Sequence, residues 1–214
     1  MRIILIGPPG VGKGTQAALL GSRNGVHSLS SGEIFRREIE AQTDLGRMAQ
    51  RYISHGELVP NGVTIEMMAK RLRDPEIRKS GFILDGFPRT VRQADSLQEI
   101  LEELDMPLNR VISLVAPDDL IVNRLSGRMG CTKCGAIYHS INKPTQREGY
   151  CDLCNSPIVV RSDDQPETIR ERLRIFREDT APVVEFYENL GLTVTIDATR
   201  DAEEVYRDIV AEVS

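Results

Sequence analysis

The chain has 214 residues, of which 40% are hydrophobic, 28% charged and 5% aromatic, with no tryptophan. That composition suits one packed core with smaller insertions, and it excludes disorder and fibrous repeats. A net charge of −5 gives no global pull toward nucleic acid or an anionic membrane, so any polyanion site has to be local.

The first apolar run, residues 3–6, is far shorter than a signal-peptide core or a membrane span, which reads as a cytoplasmic protein. Runs at 81–84, 110–115 and 192–196 are similarly short and β-branched, as buried parallel strands are, and a weaker fifth lies at 27–29. Helical patterns at 13–23, 62–73, 91–104 and 117–125 alternate with them. The pattern predicts an α/β fold built on a doubly wound, five-stranded parallel sheet.

Two stretches interrupt the alternation. Residues 30–59 read as two or three short helices forming a substrate-binding flap, and residues 127–164, rich in glycine, proline, cysteine and polar side chains, read as a separate small module. The core is then 1–29, 60–126 and 165–214. At the module's exit Asp164 can cap the next helix, with Pro166 in its first turn and Glu167 at a capping-box spacing. That helix carries Ile169, Leu173, Phe176, Val184 and Tyr187 on one face and should kink or break at Pro182. A final helix over 202–213 covers the core.

Gly7-Pro8-Pro9-Gly10-Val11-Gly12-Lys13-Gly14-Thr15 follows a strand and opens a helix, the context of a phosphate-binding loop. Glycines let successive N–H groups point inward, the helix end adds partial positive charge, and Lys13 adds a full one. Gly14 stands where the general motif has a magnesium-binding serine or threonine, and Thr15 comes one residue late. This variant resembles the nucleoside monophosphate kinases, where an acid on another strand serves Mg2+; Asp85 fits that role, its plainer alternative being a turn cap.

Cys131, Cys134, Cys151 and Cys154 form two C-x2-C pairs 16 residues apart, a spacing that suits one closed, structural tetrahedral Zn2+ site. Iron on the same thiolates is the weaker option, and disulfides are disfavoured in a cytosolic chain. Tyr138 and Tyr150 fit a compact two-hairpin zinc ribbon. So small a module buries little core, and metal can supply its folding energy.

Leu84-Asp85-Gly86-Phe87-Pro88-Arg89-Thr90, with Gln93 one turn on, sits at a strand's carboxyl end, where α/β sheets bind ligands. Together with residues 7–15, Ser30-Ser31-Gly32-Glu33 followed by Arg36, and Gly56-Glu57-Leu58-Val59, it resembles the adenylate kinase family over essentially the whole chain. The resemblance implies Mg-dependent phosphoryl transfer, ATP + AMP = 2 ADP, beneath a mobile zinc-bearing lid at 127–164, with an AMP-binding flap at 30–59. It implies that Arg36, Arg89, Arg161 and Arg172 hold the AMP phosphate, while Ser31, Glu57, Leu58, Val59, Gly86 and Gln93 enclose its base and ribose. ATP would contact Gly10, Val11, Gly12, Lys13, Gly14, Thr15, Arg124, Arg128, Tyr138 and Arg200. Lys13, Arg89, Arg128, Arg161 and Arg172 would stabilise the phosphoryl group in flight; taken singly, each arginine could be a solvated surface charge.

The acceptor phosphate is already ionised near neutral pH, so no general base is required. The partners implied are ATP, AMP and ADP, without nucleic acid or membrane, and the chain is expected to work as a monomer. The rival readings are a GTP-using or a UMP/CMP-type sibling kinase and, in another class, a nucleotide-switched nucleic-acid binder that reads through the zinc ribbon.

Overall fold

The computed structural model describes residues 1–213, apart from the side chain of Ser162. Five strands, β1 (Arg2–Ile6), β2 (His27–Ser30), β3 (Phe82–Asp85), β4 (Arg110–Val115) and β5 (Thr193–Asp197), form one parallel sheet in the order β2-β3-β1-β4-β5. All five predicted strands are present. The third starts one residue later than expected because Gly81, at φ +84°, ends a preceding helix.

The sheet is buried on both faces because its side chains alternate. Ile4, Ile6, Phe82, Leu84 and Val111 join one apolar cluster, while Ile3, Leu5, Ile83, Ile112 and Leu114 join the other. Helices α1 (Lys13–Asn24) and α2 (Ala202–Val213) cover the second face through Ala17, Leu20, Val205 and Ile209. Helices α3 (Asn61–Leu72), α4 (Val91–Glu103) and α5 (Ala181–Glu188) cover the first through Met68, Leu72, Leu97, Leu101, Val183 and Tyr187. Each fully buried Val, Leu, Ile, Phe or Met among these contributes about 1.5–3 kcal/mol of transfer free energy.

Between β2 and α3 run two helices, α6 (Ser31–Glu40) and α7 (Asp44–Ile53), packed around Phe35, Ala49 and Val59. A short helix, α8 (Pro75–Ser80), was not anticipated, although Asp74 caps it by accepting from the N–H of Glu76 and Pro75 occupies its first turn. After β4, α9 (Asp118–Ser126) leads into a three-stranded antiparallel sheet of β6 (Arg128–Cys131), β7 (Ile137–His139) and β8 (Ile158–Val160), with β6 central. A 3-10 turn (Ser162–Asp164) then meets α10 (Pro166–Ile175).

One local expectation is overturned and one is met. Asp164 does not cap α10: the N-cap is Gln165, with no side-chain cap bond, and the Asp164 carboxylate turns inward to arginines. The interruption expected at Pro182 is present, and α10 ends at Ile175. The chain widens into a π-helical turn (Phe176–Thr180), and Pro182 enters the first turn of α5, where its missing N–H is harmless.

Candidate active site

The site lies at the carboxyl rim of the sheet, where β1, between β3 and β4, feeds α1 through residues 7–12. Helix α1 opens with Gly12 as N-cap, no side-chain cap bond and no acid of its own in its first turn, so its end adds partial positive charge to the loop. Gly10 is required: at φ +83° a Cβ would lie 2.6 Å from Cγ of Leu125. Lys13 Nζ folds across the loop, donating to the carbonyls of Gly7 (2.7 Å) and Pro8 (2.9 Å). Enclosure pushes its pKa down to about 8; Asp85 opposes that fall, and Arg89, Arg172 and Arg128 add to it.

Beside the loop is a cavity lined by Ser31, Arg36, Glu57, Leu58, Val59, Gly86, Arg89, Gln93 and Arg172. These are the residues expected around the second nucleotide, with the exception of Arg161. The same cavity is lined by Phe35, Thr64 and Asp163, which the sequence did not single out. The carbonyl of Gly86 accepts from Ser31 Oγ (2.6 Å) and Arg89 Nε (2.8 Å), tying the flap to the loop after β3. Gly86 has φ +75°, and a Cβ there would lie 2.9 Å from Arg89 Nη2. The Gln93 side chain, 2% exposed, accepts from the backbone N–H of Arg89 at 2.8 Å.

Between loop and cavity, cations outnumber acids. Lys13, Arg36, Arg89, Arg128, Arg161 and Arg172 share the space with Asp85, Asp163 and Asp164. Arg128 grips Asp164 with two bonds of 2.7 and 2.6 Å, and Arg172 reaches both Asp163 and Asp164 at 3.0 Å. Two guanidiniums offer the buried Asp164 more than a helix N-terminus could, which is why it forgoes the cap. Burial, followed by repulsion from Arg36 and Arg128, pushes Arg161 down to about 9. Burial and Arg172 push Arg89 down to about 10, and burial lowers Arg36. Burial would raise Asp163, but Arg172, Arg128, Arg36 and Arg161 outweigh it and hold that carboxyl below its usual range. Depressed guanidinium and ammonium values on this scale mark a pocket built for more negative charge than the protein itself supplies.

On the far side of the loop, Arg124 Nη1 donates to the carbonyls of Val11 (3.2 Å) and Ala198 (2.9 Å), spanning the loop and the turn after β5. Arg200 lies on that turn, half exposed and paired with Asp208. Thr15 lies in the first turn of α1, and Asp85 closes β3, opposite Leu5 in register and close to Gly14.

The small sheet reaches over the loop. A Cβ on Gly14 would lie 3.3 Å from Ile137 Cδ1, and one on Gly135 would lie 3.2 Å from Glu33 Oε1 of α6. The Sγ atoms of Cys131, Cys134, Cys151 and Cys154 all lie within 4.8 Å of one another. The Cys131–Cys154 and Cys134–Cys151 pairs are 3.4 and 3.5 Å apart. These separations are too long for a disulfide of about 2.05 Å and near the edge of a tetrahedron with metal–sulfur bonds of about 2.3 Å. The donor set therefore fits a metal ion. The Tyr138 ring is 3% exposed in the core of this sheet, its hydroxyl 3.3 Å from Cys151 Sγ and accepting from the N–H of Asp152, so the side chain buttresses the thiols.

Comparison with known proteins follows the same line. The family model for adenylate kinase matches residues 5–192. An adenylate kinase of Methanosarcina mazei is 45% identical over 211 residues, covering 99% of this chain and 97% of its own. Those of Archaeoglobus fulgidus (41%, 99% and 97%) and Finegoldia magna (43%, 100% and 99%) match as completely. Since both the family model and these full-length relatives span the phosphate loop, the cavity and the cysteine-bearing sheet, the chain belongs to the adenylate kinase family.

Proposed function

We propose that the protein moves the terminal phosphoryl group of ATP to AMP, reversibly, giving two ADP, with the small sheet acting as a lid over the reacting phosphates. The observation that carries this reading is the excess of buried cations joining the phosphate loop to a cavity that ends on the Gln93 amide. In the forward reaction an oxygen of the AMP phosphate attacks the terminal phosphorus of ATP. The bond from that phosphorus to the bridging oxygen breaks, and ADP leaves. Charge is conserved and no proton moves, so the reaction needs no general base.

Charge spreads over the transferring group, so positive side chains held in advance do most of the catalysis. Lys13 and the amides of residues 10–15 would hold the ATP phosphates; Arg128, Arg161 and Arg172 would meet them from the lid side. Arg36 and Arg89 would hold the AMP phosphate, with Ser31, Gly86, Gln93 and the backbone of 57–59 around its nucleoside. Arg124 and Arg200 would border the donor base. Asp85 would hold Mg2+ arriving with ATP, an ion that neutralises developing charge on the phosphates. Ile137 over Gly14 and Gly135 against Glu33 support a closed lid that excludes water, the competing acceptor.

The four thiolates suit Zn2+ in a closed structural site, which adds folding energy to the lid and no chemistry. No helix among the described residues is long and apolar enough to cross a membrane. We place the protein in the cytoplasm as a monomer working on ATP, AMP and ADP.

The test is a coupled assay with ATP, Mg2+ and each nucleoside monophosphate in turn. Rapid ADP formation with AMP alone is the expected result. Preference for UMP or CMP would overturn the assignment of Gln93, and equal rates with GTP as donor would overturn ATP selectivity.

A further inference from the structure

Gln93 follows Thr90 at the spacing of a capping box, in which the glutamine side chain would reach back to the N–H of its own N-cap residue. It does something else. Thr90 Oγ1 does cap α4, accepting from the N–H of Gln93 at 3.2 Å, but Gln93 Oε1 accepts from Arg89 N–H, one residue earlier, at 2.8 Å. Its Nε2 donates to Asn61 Oδ1, on the first turn of α3, at 2.9 Å, and Thr90 Oγ1 donates to the same Oδ1 at 3.2 Å.

The direction of every bond in this ring is set by the backbone. The Arg89 N–H fixes Oε1 of Gln93 and so turns Nε2 toward Asn61, whose facing atom is then the acceptor Oδ1; Thr90 Oγ1, which receives the Gln93 N–H, donates its own proton to the same Oδ1. Asn61 Oδ1, accepting twice, then holds Gln93 in that polarity from the other side of the amide. One Nε2 proton and one Oε1 lone pair remain, and Gln93 lines the cavity with its side chain otherwise sealed.

We propose that Asn61 is a specificity-determining positioning residue: it holds the Gln93 amide in the one polarity that complements a 6-aminopurine nucleotide and opposes a 6-oxopurine nucleotide. The inference rests on the reading of Gln93 as the contact to the acceptor base. A 6-aminopurine presents a donor and a bare ring nitrogen, matching Oε1 and Nε2; a 6-oxopurine presents the reverse. Turning the amide to suit the latter would set Nε2 against the Arg89 N–H, and Oε1 against Asn61 Oδ1, leaving like groups face to face in a dry site.

The experiment compares kcat/KM for AMP and for inosine monophosphate, with ATP as donor, in the wild type, Asn61→Leu, Asn61→Asp and Gln93→Leu. Asn61→Leu is expected to lower the AMP-to-IMP selectivity ratio by about tenfold, chiefly through KM, since one of two locks is lost. Asn61→Asp, which keeps the twofold acceptor, should restore the ratio. Thr90→Val withdraws the donor to Asn61 Oδ1 from another element, should move the ratio the same way, and carries the test if Asn61→Leu does not fold. If Asn61→Leu and Thr90→Val slow both nucleotides equally while Gln93→Leu collapses the ratio, Asn61 is merely structural and the inference fails. If Gln93→Leu itself leaves the ratio unchanged, the base-reading assignment beneath it fails instead.

Discussion

The central sheet and the small sheet solve opposite problems. The first is flanked by two large apolar clusters and can hold an arrangement of cations that disfavours folding, because its core supplies a surplus. The second has a small core in which Cys131, Tyr138 and Cys151 are the buried apolar members among the described residues, and two of those three belong to the four-cysteine cluster that could hold a metal ion. The scaffold thus tolerates electrostatic strain, whereas the small sheet has little apolar core of its own to fold on. The difference predicts that the same severity of substitution will have unlike consequences in the two regions.

The largest effect should come from Lys13→Met, where activity and stability are expected to move in opposite directions. Loss of the charge on the phosphates should lower kcat/KM by about 10³-fold or more. The nucleotide-free protein should nevertheless gain stability at pH 7, on the order of 1 kcal/mol, since the Lys13 pKa falls from 10.5 in the unfolded chain to about 8 when folded. Below pH 8 both states of the wild type carry the proton, so the penalty is complete. Between pH 8 and 10.5 the folded state has released it while the unfolded state still holds it, so wild-type stability rises with pH relative to the variant, and the advantage of Met disappears. Denaturant melts at pH 7 and 10 would check the sign, and a destabilised variant at pH 7 would show that the two carbonyl bonds of Lys13 outweigh its desolvation.

Next in size is metal removal from the small sheet. Chelation, or Cys151→Ser, should cost that sheet several kcal/mol if the four thiolates hold the proposed Zn2+, since ligation would then supply much of its folding energy. Limited proteolysis is then expected to cut within residues 127–164 while the far-UV spectrum of the central sheet persists. Simultaneous loss of both regions would mean that the small sheet is an integral part of the core and would erase the contrast drawn above.

What could be read from the sequence divides along the same boundary. The central strands were legible because buried parallel strands are continuous β-branched runs punctuated by glycine, and the phosphate loop because its glycines and lysine must be contiguous in the chain. The cysteines were legible for the same reason of spacing. Asp163 and Asp164 were not: an acid before Pro166 reads locally as a helix cap, and only the folded chain brings Arg128 and Arg172, from two other elements, onto the same carboxylates. That the Tyr138 ring packs among the thiols carried no local signal, since alternation along β7 and the fold of the small sheet decide it. Asn61 carried no local signal, since its partners lie about thirty residues away on α4 and its approach. Helix α8 was the one avoidable miss, because Asp74-Pro75-Glu76 states a helix start openly.

The smallest expected effect tests whether the packed scaffold makes its site tolerant. Thr180, in the π-helical turn, donates from Oγ1 to the carbonyl of Arg89 at 2.9 Å, and so restrains the backbone whose N–H holds Gln93 and whose side chain faces the cavity. Thr180→Val keeps the shape and removes that donor. Because the Arg89 loop is also held by its own Nε on Gly86 and by Gln93, the loss should be about 1 kcal/mol, seen as an increase in KM for AMP of about fivefold with kcat little changed. A fall in kcat of the same size as the rise in KM would mean that Arg89 acts chiefly on the phosphoryl group in flight, and that even the well-packed half of the molecule is sensitive to a single hydrogen bond.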